Sequence, residues 1–290
     1  MATLAAKFKS YMKLFRIEHA FLLSFAVLLS ELILWKAGFA LPTIDVIAVS
    51  LAVPFLIEMG SFALNDYLDL RTDEENSRTD RPLVTDELDP IEALAAAAAC
   101  YLLGILIAID LPIKAFAIAA SFAILSVGYN QRLKDLPVLG NFYIGCSMAI
   151  PFLFANVIMA ESLYPPVLAI AAVAFVSGFG REIIKSIQDV EGDVKQRGSK
   201  TLPAVIGKKN SAYFAAICYF ALVPLSLLPF AAGLPANLAS VGLTAVAAVS
   251  FAAMGVSVLR DMGKENMKAL RKTSLITVAV GLAGYAASLI

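Results

Sequence analysis

The chain reads as an all-α, polytopic membrane protein, with nine transmembrane helices forming one integral-membrane domain over residues 1–290. Apolar content, the spacing of turn signals and a one-sided distribution of basic residues lead there. Sixty per cent of the residues are hydrophobic, only 16% are charged, and mean hydropathy is +0.80. Soluble domains run nearer ~45–50% apolar and ~25% charged. The excess is spread along the chain, which excludes a soluble domain with one anchor. With 17 Gly and 13 Pro, a collagen-like or disordered chain is excluded too. Net charge is zero, so no global basic field points to a nucleic-acid partner. Cys100, Cys146 and Cys218 sit in apolar stretches without metal-ligand spacing and read as small buried hydrophobes.

A spanning helix needs ~20 mostly apolar residues. Such stretches fall at about 17–37, 43–66, 90–109, 112–130, 138–160, 164–189, 210–231, 235–259 and 270–290. The uncharged run from Asn210 to Leu259 is too long for one span, and Gly233 with Pro235 breaks it into a hairpin. Asp110 to Pro112 and Tyr164 to Pro166 mark two other short turns. Lys7, Lys9, Lys13 and Arg16 precede a full-length span, a pattern unlike a signal peptide.

With nine spans, 21 of the 23 Lys and Arg residues fall on the side of the N-terminus, and only Lys36 and Lys114 on the other. That bias places the basic loops in the cytoplasm and the C-terminus outside the cell membrane. Ser77 and Ser199 are expected to share the cytoplasmic side, with Gly38 opposite.

Two acidic clusters stand at cytoplasmic helix ends. Asn65, Asp66, Asp69 and Asp73 close the second span. If the helix continues, Asn65, Asp69 and Asp73 recur at i, i+4 and i+8 on one stripe, with Asp66 beside it. Like charges at that spacing repel, so the stripe calls for a cation. Carboxylates and an amide, without Cys or His, suit a hard ion such as Mg2+. The sixth span closes on Asp189 and Asp193, again i, i+4. Arg78, Arg81 and Pro82 follow the first cluster; Lys195, Arg197, Lys200 and Pro203 follow the second. The arrangement reads as a diverged internal repeat able to hold two Mg2+ ions.

Mg2+ bound by few carboxylates usually keeps waters and takes substrate phosphates. A diphosphate bridging the metals fits, and its departure is what metals and Arg or Lys side chains promote. At a membrane surface this implies a lipid tail: a prenyl diphosphate ionises and an acceptor captures the allylic cation. Arg78 and Lys200, at similar offsets from the two clusters, are expected to clamp the diphosphate. The connections at about 74–88 and 194–209 read as long loops acting as lids that keep water from the cation.

These residues resemble the UbiA superfamily of intramembrane prenyltransferases. The family's Asn-Asp-x-x-Asp-x-x-x-Asp motif stands here as Asn65, Asp66, Asp69 and Asp73, and its Asp-x-x-x-Asp motif as Asp189 and Asp193. The resemblance implies helices around a central cavity, two Mg2+ at its cytoplasmic mouth, and a lateral opening for the prenyl tail. It makes Asp69, Asp73, Asp189 and Asp193 catalytic, and all six motif residues metal ligands. Relatives carry Tyr-x-x-x-Lys after the fourth span; here Tyr129 and Lys134 stand one residue further apart, so Lys134 reads as a diphosphate contact or as an ordinary basic loop residue.

Intramembrane charges are functional by default. Lys185, one turn before Asp189, is expected at the diphosphate together with Arg81 and Lys195. Glu182 and Glu58 stand seven residues before Asp189 and Asn65, placed to meet the acceptor or take its proton; Glu182 pairing with Arg181 or Lys185 is the plainer alternative. His19 reads either as an acceptor contact or as an interfacial capping residue. The runs 181–193 and 198–203 resemble the archaeal branch that prenylates geranylgeranylglyceryl phosphate, whereas Phe15 to His19 resembles the hydroxybenzoate and quinone branch. A cation-coupled secondary transporter is the alternative of another class, but inverted repeats would put the two motifs on opposite faces. The expected partners are a prenyl diphosphate, a lipophilic acceptor and membrane lipid, without an obligate protein partner.

Overall fold

The computed structural model describes residues 4–75 and 78–290, and among them the chain is helical without a strand. Ser77 and the side chain of Arg197 lie outside the described residues. The helices are α1 (Leu4–Phe15), α2 (Ile17–Lys36), α3 (Ile44–Glu75), α4 (Pro90–Ala108), α5 (Ile113–Gln131), α6 (Leu139–Met159), α7 (Pro165–Arg197), α8 (Leu202–Leu225), α9 (Leu228–Ala231), α10 (Leu238–Arg260) and α11 (Lys264–Ala287). A 3-10 turn, Leu133–Asp135, precedes α6. Helices are the natural solution for so apolar a chain, because they satisfy every backbone group without water.

Long helices occupy all nine stretches expected to span. Eight are long and apolar enough to cross a membrane; among the described residues α11 falls outside that set, and it carries Arg271 and Lys272. The chain is thus an integral membrane protein with a span count of about nine. The expected breaks at 110–112 and 233–235 fall between helices, and 164–166 marks the start of α7, with Tyr164 at its N-cap and prolines in its first turn.

Two compact units are distinguished. The first comprises residues up to Leu28 together with Pro42–Arg132. Here α1, α4 and α5 pack on α3. The buried face of α4 is Ala93, Ala97, Cys100, Gly104 and Ala108, small residues that let helices approach closely in a membrane. Asp89 and Pro90 start α4, and the Asp89 amide donates to Glu92 Oε2 at 3.1 Å. Helix α1 is tied down by ion pairs of Lys7 with Glu92 and Lys13 with Glu87, and by Ser10 Oγ donating to Glu87 Oε2 at 2.6 Å. The Lys13 and Ser10 hydrogen bonds hold the Glu87 carboxyl below its ordinary range. Leu83 and Leu88 are buried with Leu14, Ala63, Ala93 and Ala97. The described part of the 74–88 connection is therefore packed down, unlike the free lid expected.

The second unit comprises Leu29–Leu41 with Leu133–Ile290. Helices α6, α8, α9 and α11 pack on α7, and α10 packs on α8 and α11. A Cβ on Gly178 would stand 2.7 Å from Met148 Cγ, so α6 and α7 need glycine there to touch. Asn156 holds the α6–α7 turn, its Nδ2 donating to the Ser162 carbonyl and its Oδ1 accepting from the Tyr164 amide. The core beneath the charged end of α7 includes Ile183, Ile184, Ile187, Tyr219, Phe251 and Met254.

The 194–209 lid is corrected by this unit. Helix α7 continues to Arg197 and stops where Gly198 takes the left-handed φ of 62°. Helix α8 begins at Leu202, so only residues 198–201 connect the two, and Gly207 (φ 83°) then breaks the first turn of α8 from the rest. Charged residues beyond the membrane looked like loop; they are helix that has left the apolar layer.

Candidate functional site

Helix α3 runs without interruption through its acidic cluster to Glu75, so the motif takes the helical register expected of it. Within that register the residues divide into two pairs. Asn65 Nδ2 donates to Asp69 Oδ2 at 2.9 Å and to Asn130 Oδ1 at 3.1 Å. Asn130, buried on α5, in turn donates to the Ser126 carbonyl at 3.1 Å and to Ser61. Asn65 and Asp69 thus occupy a half-buried face oriented from a neighbouring helix.

The other pair is Asp66 and Asp73, which are 1% and 7% exposed. Asp66 Oδ1 accepts from Arg16 Nη2 and from Arg81 Nη1, both at 2.8 Å. Arg81 Nε lies 3.6 Å from Asp73 Oδ2, so one guanidinium spans two turns of the helix. The Arg16 guanidinium lies over the Phe62 ring at 4.2 Å, and the His19 ring meets the same phenylalanine edge-on at 5.3 Å. Arg78 makes a bidentate pair with Asp80, 2.9 Å on each arm, which holds the Asp80 carboxyl below its ordinary range.

At the end of α7, Asp189 and Asp193 are half-buried and one turn apart. Among the described residues the Asp189 side chain takes part in no hydrogen bond or ion pair. The support here is backbone and turn. The Ser199 amide donates to the Asp193 carbonyl at 3.3 Å, closing the helix end. Ser199 Oγ donates to Asp135 Oδ1 at 2.5 Å, and the Lys200 amide donates to the Asp135 carbonyl at 2.9 Å. Asp135 thereby fixes the strand of chain that carries Lys200 against the turn that carries Lys134. A Cβ on Gly140 would meet Lys134 Cα at 3.0 Å, so that turn lies flat on the start of α6.

The remaining expected residues sort by unit. Glu58, His19, Tyr129, Arg78 and Arg81 belong to the first, with Tyr129 buried on α5. Lys134, Glu182, Lys185, Lys195 and Lys200 belong to the second. Glu182 Oε1 accepts from Lys185 Nζ at 2.8 Å, the plainer of the two arrangements anticipated for it. Lys195 and Lys200 are exposed. Sequence reasoning passed over Arg16, Asn130 and Asp135. It also passed over Arg271, whose Nη1 donates to Gln188, the neighbour of Asp189, at 3.0 Å.

Among the described residues no three acidic, His or Cys side chains converge as a metal cage. The donor chemistry of Asn65, Asp69, Asp189 and Asp193 nevertheless fits Mg2+, because that ion takes one or two carboxylates and keeps waters and phosphate oxygens for the rest.

Comparison with known proteins places this architecture. The model of the UbiA prenyltransferase family matches residues 22–276. The digeranylgeranylglyceryl phosphate synthase of Archaeoglobus fulgidus is 32% identical over 295 residues, covering 98% of this chain and 97% of that one. A solved structure described as giving insights into the biosynthesis of digeranylgeranylglyceryl phosphate synthase in membranes has a TM-score of 0.74 and 27% identity, covering 98% and 99% of the two chains. A UbiA homologue from Archaeoglobus fulgidus bound to DMAPP and Mg2+ matches with a TM-score of 0.62 over 95% of this chain and 99% of that one, and at 19% identity it shows the fold. The chain belongs to the UbiA prenyltransferase family and is a prenyl-transferring enzyme of the membrane.

Proposed function

We propose that this enzyme moves a prenyl group from a polyprenyl diphosphate to geranylgeranylglyceryl phosphate, with Mg2+ at each acidic motif. One observation carries the reaction class: twice, a long membrane helix continues past its apolar part and ends in Asp-x-x-x-Asp followed by basic residues. The acceptor rests on the relative named digeranylgeranylglyceryl phosphate synthase, aligned over almost the whole chain. Family membership sets the transporter reading aside. Residues 1–290 serve this one reaction as a single domain.

Asn65 and Asp69 would hold one ion and Asp189 and Asp193 the other; Asp66 and Asp73, also expected as ligands, are buried against Arg81 beside them. Bound Mg2+ supplies positive charge against the departing diphosphate. Arg78, Arg81, Lys134, Lys185, Lys195, Lys200 and the Tyr129 hydroxyl donate to the diphosphate oxygens and fix the direction in which it leaves. The C1–O bond of the prenyl diphosphate breaks, and its electron pair leaves on the diphosphate. The acceptor hydroxyl oxygen then gives a pair to the allylic carbon and loses its proton. Glu58 and Glu182 are the carboxylates placed one helix register deeper for that proton, and His19 stands at the membrane entrance for the acceptor head group.

The acidic helix ends face the cytoplasm and the C-terminus lies outside. Ser199 is 4% exposed, so Lys200→Cys and Ala40→Cys are better reporters of sidedness. In oriented vesicles they should label from opposite faces, and labelling from one face would overturn the orientation.

The acceptor is tested with purified protein, geranylgeranyl diphosphate and Mg2+, offering geranylgeranylglyceryl phosphate, 4-hydroxybenzoate or a naphthoate in parallel. The glyceryl phosphate should be prenylated and the aromatic acids left alone. Prenylation of an aromatic acid alone would replace the acceptor with that of the quinone branch.

A further inference from the structure

We infer that Asp66 is a positioning residue, holding Arg16 and Arg81 where they meet the anionic substrate, and stands outside the metal-binding set. The inference rests on reading this end of α3 as the diphosphate site. Three observations within the first unit carry it.

The first is register. Successive helix residues are turned by roughly 100°, so Asp66 stands at one edge of the acidic face, roughly 60° from Asp69 and roughly 100° from Asn65. It shares a face with Asp73, seven residues on. The contacts follow that order: Asn65 bonds Asp69, Asp66 and Asp73 share Arg81, and Arg16 Nη2 lies 2.8 Å from Asp66 Oδ1 but 3.5 Å from Asn65 Oδ1.

The second is burial. Asp66 is 1% exposed, and its Oδ2 is closed to solvent. Mg2+ gives up its waters reluctantly and binds in an octahedron with several of them kept. A carboxylate sealed on all sides does not admit a hydrated ion, whereas the half-buried Asp69 does.

The third is the partner set. Two guanidiniums, from residues 50 positions earlier and 15 later, bond the same Oδ1 at 2.8 Å. Arg16 is the junction between α1 and α2, and its φ of 43° lies in the left-handed region that a non-glycine side chain resists. The ion pair with Asp66 and the stacking on Phe62 hold that strained junction. Arg81 begins the turn that follows α3. Asp66 therefore sets two cations from distant segments into one place, where a guanidinium suits an incoming phosphate oxygen.

The test compares Asp66→Asn with Asp69→Asn in the full-length protein, using three readouts. Mg2+ with inorganic diphosphate is titrated against thermal stability, which needs no turnover. Asp69→Asn should raise the Mg2+ midpoint at least tenfold, and Asp66→Asn should leave it within about twofold. In steady state, Asp66→Asn should raise KM for geranylgeranyl diphosphate roughly tenfold with kcat changed much less. Asp66→Glu should restore part of that loss. Arg81→Gln should reproduce the pattern, and adding it to Asp66→Asn should cost little more, since both changes remove one contact. Arg81→Gln also answers should Asp66→Asn fail to fold. A Mg2+ midpoint displaced as far by Asp66→Asn as by Asp69→Asn would make Asp66 a ligand and overturn the inference. So would additive stability losses in the Asp66 and Arg81 pair. Absence of turnover in the wild type would instead sink the proposed function, while the Mg2+ titration and the pair cycle still decide the place of Asp66.

Discussion

The acidic end of α3 and the acidic end of α7 carry the same Asp-x-x-x-Asp spacing and differ in what fastens them. At α3, side chains do the holding: Arg16 and Arg81 engage Asp66 and Asp73, and Asn130 orients Asn65. At α7, the following turn is fastened: Gly198 turns the backbone, the Ser199 amide closes on the Asp193 carbonyl, and Asp135 holds Ser199 and Lys200. Connection length accounts for the difference. Between α3 and α4, residues 78–89 fold back with Arg81 and Leu83. Only residues 198–201 connect α7 to α8, and this short connection is fastened through Ser199 and Lys200 to Asp135. Equal motifs thus imply a shared task and leave the means of support open.

The largest expected effects treat the two ends alike. Asp69→Ala and Asp189→Ala should each abolish diphosphate release while leaving the protein folded in detergent, because the wild-type carboxylates repel their neighbours when no cation is present. Retained turnover in either variant would show that only one end serves the reaction.

Arg78 comes next. Each hydrogen bond to a charged oxygen is worth ~1.5–3 kcal/mol, so Arg78→Ala should weaken prenyl diphosphate affinity by about ten- to a hundredfold. The bidentate pair with Asp80 is exposed, a setting in which ion pairs contribute ~0–1 kcal/mol. Asp80→Ala should therefore tighten affinity, by no more than about fivefold. Unchanged binding in Arg78→Ala would remove that residue from the site and leave Arg81 as the cation of this end.

A smaller change is expected at the clasp. Ser199→Ala removes one hydrogen bond to Asp135, a contact of ~0.5–1.5 kcal/mol. It should raise KM for the prenyl diphosphate about two- to tenfold by loosening Lys200. Asp135→Ala, which keeps the carbonyl bond to the Lys200 amide, should behave the same way. No change in either would confine the clasp to holding the helix end.

The smallest effect is a pH dependence in α1, which leads into Arg16. The Lys13 and Ser10 hydrogen bonds depress the Glu87 carboxyl. Its contribution is therefore fully present above the unfolded value of about 4.3, and is lost as pH falls through the lower folded value. Amide exchange in α1 should quicken in that acidic window, and Glu87→Gln should remove the step. Exchange that ignores both pH and the substitution would show that α1 is held by its apolar contacts alone.

Much of this molecule was legible in its sequence, because hydropathy and helical register are local properties. The long helices fell where apolar stretches did, and the i, i+4 aspartates were helical as read. What escaped depends on contacts between residues far apart in the chain. Arg16 counted only as a basic residue near the N-terminus until it met Asp66, 50 positions away. Asp135 looked like an ordinary loop acid, and its bond to Ser199 spans 64 positions. Asp66 shares a motif with the proposed ligand residues, and burial with its two arginine partners sets it apart from Asp69. Residues 194–197 were polar enough to resemble a loop, although a helix that leaves the apolar layer has no reason to stop at its edge.

The central claim is that both acidic ends serve one Mg2+-dependent transfer to a glyceryl phosphate lipid. Its most direct test measures, in the same reaction of purified wild-type protein, diphosphate released and ether lipid formed from geranylgeranyl diphosphate and geranylgeranylglyceryl phosphate, with Mg2+ and then with excess chelator. The account predicts the two products in equal amounts with Mg2+, and neither once the metal is chelated. Ether lipid formed undiminished in chelator, or diphosphate released without ether lipid, would contradict it.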